Sequence, residues 1–221
     1  MNIQLISTHP AFPFLLPYIL FGLIGLLHGI HPLAIYLTYP LKTVIVSWVL
    51  ILFWRQYPLV WPLPIHLLGS LIVGLMALAA WVLPYEALTK PEDLTTAYDP
   101  SADFKNPLII ISLVAIRILG ATVTVPLMEE IFIRGFLQRY IIHQDFKNVP
   151  LGTYTHTSFW LTTAIFALTH GTEWHVALIT GIIYGAWYIY TRSLTAVILA
   201  HAMTNFGLGF YVIISGKTYF W

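Results

Sequence analysis

Cysteine is absent from the 221 residues. Disulfides, thiolate metal sites and a cysteine nucleophile are therefore excluded, and the sequence carries no mark of its redox compartment. Charge is nearly as scarce: Asp, Glu, Lys and Arg make up 9% of the chain, against roughly 25% in an average soluble domain. No Lys or Arg precedes Lys42, so the basic flank of a cleavable signal peptide is missing and the first apolar segment is expected to stay as a membrane anchor. A net charge of +1 gives no electrostatic footprint for nucleic acid. Gly-x-Ser-x-Gly is missing, which argues against one common serine-hydrolase arrangement. The aspartates Asp93, Asp99, Asp103 and Asp145 all fall outside apolar stretches, which argues against an aspartyl dyad within a membrane.

What the chain does have is apolar mass. Hydrophobic residues account for 58% of it, with a mean hydropathy of +0.80. The natural solvent is the bilayer, and the length fits one domain over 1–221. A spanning helix needs about 20 mostly apolar residues. Candidates run over 11–29, 33–54, 63–83 and 108–126, the last continued by a shorter helix to about residue 143, and then over 158–170, 174–190 and 194–215. Together they predict an all-α, polytopic protein of about eight transmembrane or membrane-embedded helices. The 158–170 segment is short for a full crossing.

One polar stretch, 84–107, holds Glu86, Lys90, Glu92, Asp93, Asp99, Asp103 and Lys105, a net charge of −3, and reads as an acidic extramembrane loop. Arg55, Arg139 and Lys147 place 55–62 and 144–156 on the cytoplasmic side by the positive-inside rule, with 84–107 outside and the N-terminus cytoplasmic.

Ionisable residues within such helices are costly and face the protein interior. The segment Val125–Phe136, VPLMEEIFIRGF, puts three of them together. Glu130 and Arg134 are four apart, share a helical face and can pair. Glu129 lies about 100° round the helix. It is poorly placed to share Arg134 and is the carboxylate left free for chemistry. Further on, FALTH ends in His170, and HAMTN places His201 and Asn205 four apart on one face.

Singly, each has a structural alternative: an ion pair, a helix-end histidine, an interhelical hydrogen bond. As a set they are complementary. Glu129 and His170 can hold and deprotonate a water, while His201 and Asn205 can donate to a developing oxyanion. That is equipment for peptide-bond hydrolysis without a covalent enzyme intermediate.

In chain order the motifs are Glu-Glu-x-x-x-Arg (Glu129, Glu130, Arg134), Phe-x-x-x-His (Phe166, His170) and His-x-x-x-Asn (His201, Asn205). Over about 107–210 this resembles the CPBP, or ABI, family of intramembrane proteases, which includes the type II CAAX prenyl endopeptidases and bacteriocin-processing relatives. The resemblance implies helices around a polar cavity. It implies catalytic roles for Glu129, His170, His201 and Asn205, supporting roles for Glu130 and Arg134, and a membrane-associated protein or peptide substrate.

YPLKT, DFKNVPLG and LAHAMTNFGLG further resemble the small CAAX-protease-related proteins of exosortase-carrying bacteria. This implies a bacterial inner membrane and a substrate other than a prenylated tail. No cofactor is expected.

Two alternatives stay open. One is a zinc-dependent membrane hydrolase drawing ligands from Glu129, Glu130, His170, Glu173, His175 and His201. Against it, no His-Glu-x-x-His is present and the spacing matches no closed zinc site. The other is a non-proteolytic scaffold or ion path. Of the remaining features, Trp and Tyr are expected at the interfaces, and Gly181 and Gly185 at a close helix contact. Lys42 is expected to snorkel, Arg117 to meet a buried carboxylate, and Glu173 and His175 to shape a cavity mouth.

Overall fold

A computed structural model describes residues 9–31, 33–88 and 98–221. Every regular element among these residues is helical, and no strand occurs among them. Helix α1, Phe12–Gly25, carries Pro13 in its first turn and Pro17 inside, and tightens into a 3₁₀ turn over Leu26–Ile30. Helix α2 covers Ala34–Leu52 and α3 covers Pro64–Leu88. A one-turn helix, α4, spans Pro100–Asp103.

Helix α5 is the long element, an unbroken helical run over Pro107–Ile142. It begins where Asn106 Oδ1 accepts from the Leu108 N–H at 2.9 Å and Pro107 takes the first turn. Helix α6, His156–Leu168, is capped by Thr155; α7 covers Trp174–Thr191; α8, Leu194–Ser215, is capped by Ser193 and ends at the left-handed Gly216 (φ 69°).

Five of these helices are long and apolar enough to cross a membrane: α1 with its 3₁₀ turn, α2, α3, α5 and α8. Helix α6 has 13 residues, about 20 Å at 1.5 Å per residue, and falls short of a hydrocarbon core of about 30 Å, as its sequence suggested. Large apolar side chains cover the exterior. Trp48, Ile51, Leu68, Leu108 and Ile214 are all exposed, the surface of a protein that meets lipid rather than water.

Three details differ from the sequence reading. The segments 108–126 and 127–143 are one helix rather than two, and the count of eight is completed by α4. Helix α3 continues through Pro84 to Leu88, so Glu86 is helical; it pairs with Lys217 and accepts from the Tyr211 hydroxyl at 2.5 Å. The rest of the acidic loop is described only at 98–107, and Lys90, Glu92 and Asp93 lie outside the described residues. Finally, Arg139 is buried rather than a surface charge. Its guanidinium donates to the carbonyls of Val149 (2.8 Å), Gly135 (2.9 Å) and Lys147 (3.0 Å), tying the loop after α5 back onto it.

Missing side chains set the close helix contacts. A Cβ on Gly74 of α3 would stand 2.5 Å from the Ala200 carbonyl and 2.6 Å from Met203 Cβ on α8. One on Gly120 would meet Thr43 Oγ1 of α2 at 2.6 Å. Gly181 and Gly185 lie under Phe166, Thr163 and Phe159, so the expected close contact is that of α7 with α6.

Candidate active site

Helix α5 is not regular around its charges. Two π-helical stretches, Gly120–Thr124 and Ile131–Leu137, flank the α-helical turns Val125–Glu130. Such bulges recur at functional sites because each frees backbone groups and re-aims side chains. Backbone groups taken up by other helices are visible in both stretches. The Ala121 carbonyl, in the first stretch, accepts from Asn205 Nδ2 at 2.8 Å. The Arg134 carbonyl, in the second, accepts from the Tyr188 hydroxyl at 3.1 Å.

Glu130 and Arg134 form the pair their spacing suggested. Arg134 donates to Glu130 Oε2 at 2.6 Å, with the side chains 2% and 0% exposed. A second guanidinium nitrogen donates to the Gly181 carbonyl at 3.2 Å, and the group stands 5.3 Å from the Phe166 ring centroid. Helices α5, α6 and α7 thus meet around one cation.

The sequence did not suggest what Glu130 does with its other oxygen. Oε1 accepts from His201 Nδ1 at 2.9 Å. Arg134, Glu130 and His201 therefore form a relay from α5 to α8. The His201 ring stacks on Tyr184 (centroids 4.8 Å apart, 22° between planes), whose hydroxyl donates to Thr204, which in turn donates to the Gly74 carbonyl. Tyr184 and Thr204 went unnoticed in sequence, where one more Tyr and Thr in an apolar helix carry no signal.

His201 Nε2 faces Glu129, with Oε2 at 3.9 Å. That oxygen is buried and has no hydrogen-bond partner. Glu129 thus has no Lys or Arg partner among the described residues, and its charged neighbour is the His201 ring whenever that ring is protonated.

His170 sits just beyond α6. Its Nδ1 is 2.7 Å from the Phe166 carbonyl, and since a carbonyl only accepts, Nδ1 carries the proton and Nε2 is the ring's free lone pair. The ring packs on Phe166 and edge-on to Trp81. Asn205 has one amide hydrogen committed to Ala121, which leaves the other and Oδ1 uncommitted. This is the interhelical hydrogen bond its sequence context allowed, and the side chain also reaches the cavity.

All four side chains singled out for chemistry, Glu129, His170, His201 and Asn205, line a single cavity of about 270 Å³. Glu130 and Arg134 do not line it and stand behind it. Lys42 does line it, as does Arg117.

Three expectations fail here. Lys42 does not snorkel: it is 7% exposed, with its ammonium 4.0 Å from the Phe21 ring centroid. Arg117 meets no carboxylate among the described residues, and its guanidinium lies 4.1 Å from the Tyr39 ring centroid. Both side chains turn inward because the cavity, rather than the interface, offers them polar space. Glu173 and His175 are not among the cavity-lining residues: Glu173 accepts from Thr172, and His175 stacks on Tyr85. No group of three or more His, Asp or Glu side chains among the described residues is arranged to hold a metal ion.

The fold and the cavity define an integral membrane protein that carries a polar, carboxylate-containing chamber among apolar helices. Residues 111–207 match the model described as type II CAAX prenyl endopeptidase Rce1-like, which supports the CAAX-protease (CPBP) family for that segment. The match takes in Glu129, Glu130, Arg134, His170, His201 and Asn205 and leaves out α1 to α4. No curated protein matches the chain, and no solved structure does.

Proposed function

We propose that the chain is an intramembrane endopeptidase that hydrolyses a peptide bond with a water activated by Glu129 and His170. One observation carries this reading. A partnerless carboxylate oxygen, two imidazoles and an amide, supplied by α5, α8 and the end of α6, line the same small cavity.

In this mechanism the water gives a proton to Glu129 as its oxygen attacks the scissile carbonyl carbon, with His170 Nε2 available to hold it. The carbonyl oxygen becomes an oxyanion and accepts from the free Nδ2–H of Asn205. His201 can donate there only from Nε2. Its Nδ1 is taken up by Glu130, so it acts as an oxyanion donor in the imidazolium form, for which Glu130 supplies the counter-charge. Collapse breaks the C–N bond, and the proton held by Glu129 passes to the leaving amine. No covalent enzyme intermediate forms.

Glu130 and Arg134 act through position. They fix the ring of His201, and Glu130 keeps the Arg134 guanidinium to itself.

The substrate on this reading is a membrane-associated protein or peptide other than a prenylated tail, and the setting is a bacterial inner membrane. Its support is the resemblance of YPLKT, DFKNVPLG and LAHAMTNFGLG to exosortase-associated relatives.

The test compares the membrane proteomes of cells carrying the wild type and Glu129→Gln. The expected result is accumulation of a precursor in the variant, with the variant protein inserted and folded. An unchanged proteome beside a folded Glu129→Gln protein would overturn the protease reading and favour a scaffold.

A further inference from the structure

Four cations lie wholly or partly inside this protein, Lys42, Arg134 and Arg139 buried and Arg117 half-buried, with quite different company. Arg134 has the Glu130 carboxylate, and Arg139 has three carbonyls. Arg117 has neither. Its guanidinium rests between the rings of Tyr39 and Tyr98, at 4.1 and 5.2 Å, and its Nε is buried without an acceptor. Lys42 resembles Arg117 in this respect. It is 7% exposed, and its ammonium lies 4.0 Å from the Phe21 centroid and 4.9 Å from that of Tyr39. No carboxylate among the described residues is within ion-pair distance of either.

The two cations therefore share one aromatic ring, Tyr39, and one cavity. Like charges placed so close repel. Ring faces offset part of the desolvation. A cation at membrane depth costs more than they return. Among the described residues the one acidic side chain lining the same cavity is Glu129, which faces His201 instead. The chamber thus holds two fixed positive charges against one negative.

We propose that Lys42 and Arg117 form an anion subsite of this cavity that takes a carboxylate of the peptide substrate, its free C-terminus or an acidic side chain near the scissile bond. The inference rests on the protease reading and assigns a substrate class to the same site.

The backbone explains how the subsite is assembled. Gly120 lets α5 close onto α2 at Thr43, one residue from Lys42. Arg117 lies one turn before Ala121, whose carbonyl holds Asn205. A carboxylate bound by the two cations would then enter on the Asn205 side of the chamber, away from the relay of Arg134, Glu130 and His201. Lys42 lies outside the segment matched to the family, so this part of the cavity is supplied by the chain's own N-terminal half.

The experiment uses the full-length protein in phosphatidylcholine nanodiscs and a library of apolar hexapeptides in three forms: free acid, C-terminal amide, and amide with one internal aspartate. Retention on Glu129→Gln protein, which leaves peptides uncut, is read by mass spectrometry. A carboxylate form should be retained about tenfold over the plain amide, the loss expected for one charge-assisted hydrogen bond. Whichever carboxylate form is retained identifies the source.

Lys42→Met and Arg117→Gln should each erase the preference, and Lys42→Arg should keep it. Thermal unfolding of each variant establishes that it is folded, and Lys42→Arg against Arg117→Lys carries the comparison should either truncation unfold. Equal retention of all forms, no retention of any, or a preference that survives in Lys42→Met and Arg117→Gln would overturn the subsite. So would phosphatidylglycerol nanodiscs that raise the unfolding temperature through Lys42 and displace every peptide form, since the cations would then hold a lipid headgroup.

The protease reading fails by a different measurement: wild-type protein that cuts no member of the library, whereas cutting by Glu129→Gln protein removes Glu129 from the chemistry. Loss of the carboxylate preference beside Glu129-dependent cutting removes the subsite alone.

Discussion

Replacing Glu130 with leucine should be among the most damaging single changes in the chain, and replacing Arg134 with methionine at the same time should undo much of the damage. Glu130 is 0% exposed and Arg134 2%, so solvent screens neither charge. Removing one member of a buried pair typically costs about 3–5 kcal/mol, because the other charge stays buried without a partner. Glu130→Leu sits at the upper end, since it strips both Arg134 and the Nδ1 of His201 of their acceptor. Arg134→Met sits lower, because Glu130 keeps His201.

In the double variant neither charge remains. What remains is a buried His201 Nδ1–H without its acceptor and a Gly181 carbonyl without its donor, about 1–3 kcal/mol each. The unpaired Arg134 charge is gone, so the double variant should still be more stable than Glu130→Leu, with non-additivity above about 2 kcal/mol. Denaturant titration in micelles, followed by tryptophan fluorescence, gives the three free energies. Additivity within about 0.5 kcal/mol would mean that the two charges do not sense each other, and the account of α5 would have to be abandoned.

The packing makes a second prediction. Gly74→Ala sets a methyl against the Ala200 carbonyl, a backbone atom that cannot swing aside, and should cost about 1–3 kcal/mol in the same titration. Asn205→Ala should lower turnover by about 10²–10³-fold, as for loss of an oxyanion donor. Stability should fall by only about 0.6–2 kcal/mol for its one interhelical bond, so cleavage and unfolding measured side by side separate the two duties. Turnover should survive dialysis against a chelator. Loss of activity restored by zinc would favour the metal-dependent alternative.

Much of this architecture could be read from residue order. The apolar segments and their near-absence of charge located the spans, because a backbone in hydrocarbon has to satisfy its own hydrogen bonds and does so as helix. The i, i+4 spacing of Glu130 and Arg134 gave their pairing, and the 100° offset gave Glu129 its isolation. The bond between Glu130 and His201 was out of reach, since it joins residues 71 apart and depends on how α5 and α8 cross.

The inward turn of Lys42 and Arg117 was illegible for a related reason. A lone cation in an apolar helix can snorkel, pair or line a chamber, and the choice is made by neighbours on other helices. The break between residues 126 and 127 was misplaced because Pro126 reads as a helix end. In the structure it falls within the first two positions of the turn after the π stretch, where a missing N–H is tolerated.

The π stretches of α5 also have a consequence for how this rod meets its surroundings. Up to Leu119 none of its side chains is buried, whereas from Pro126 onward most are. A helix that accommodates a surplus residue advances the azimuth of everything beyond it by about 100°. Excising one residue from 120–124 would therefore swing the acyl-chain-facing side of the downstream half toward the chamber and carry both glutamates out of register with His201. Indels in this short window should be far less tolerated than substitutions, even though it contains no member of the proposed chemistry.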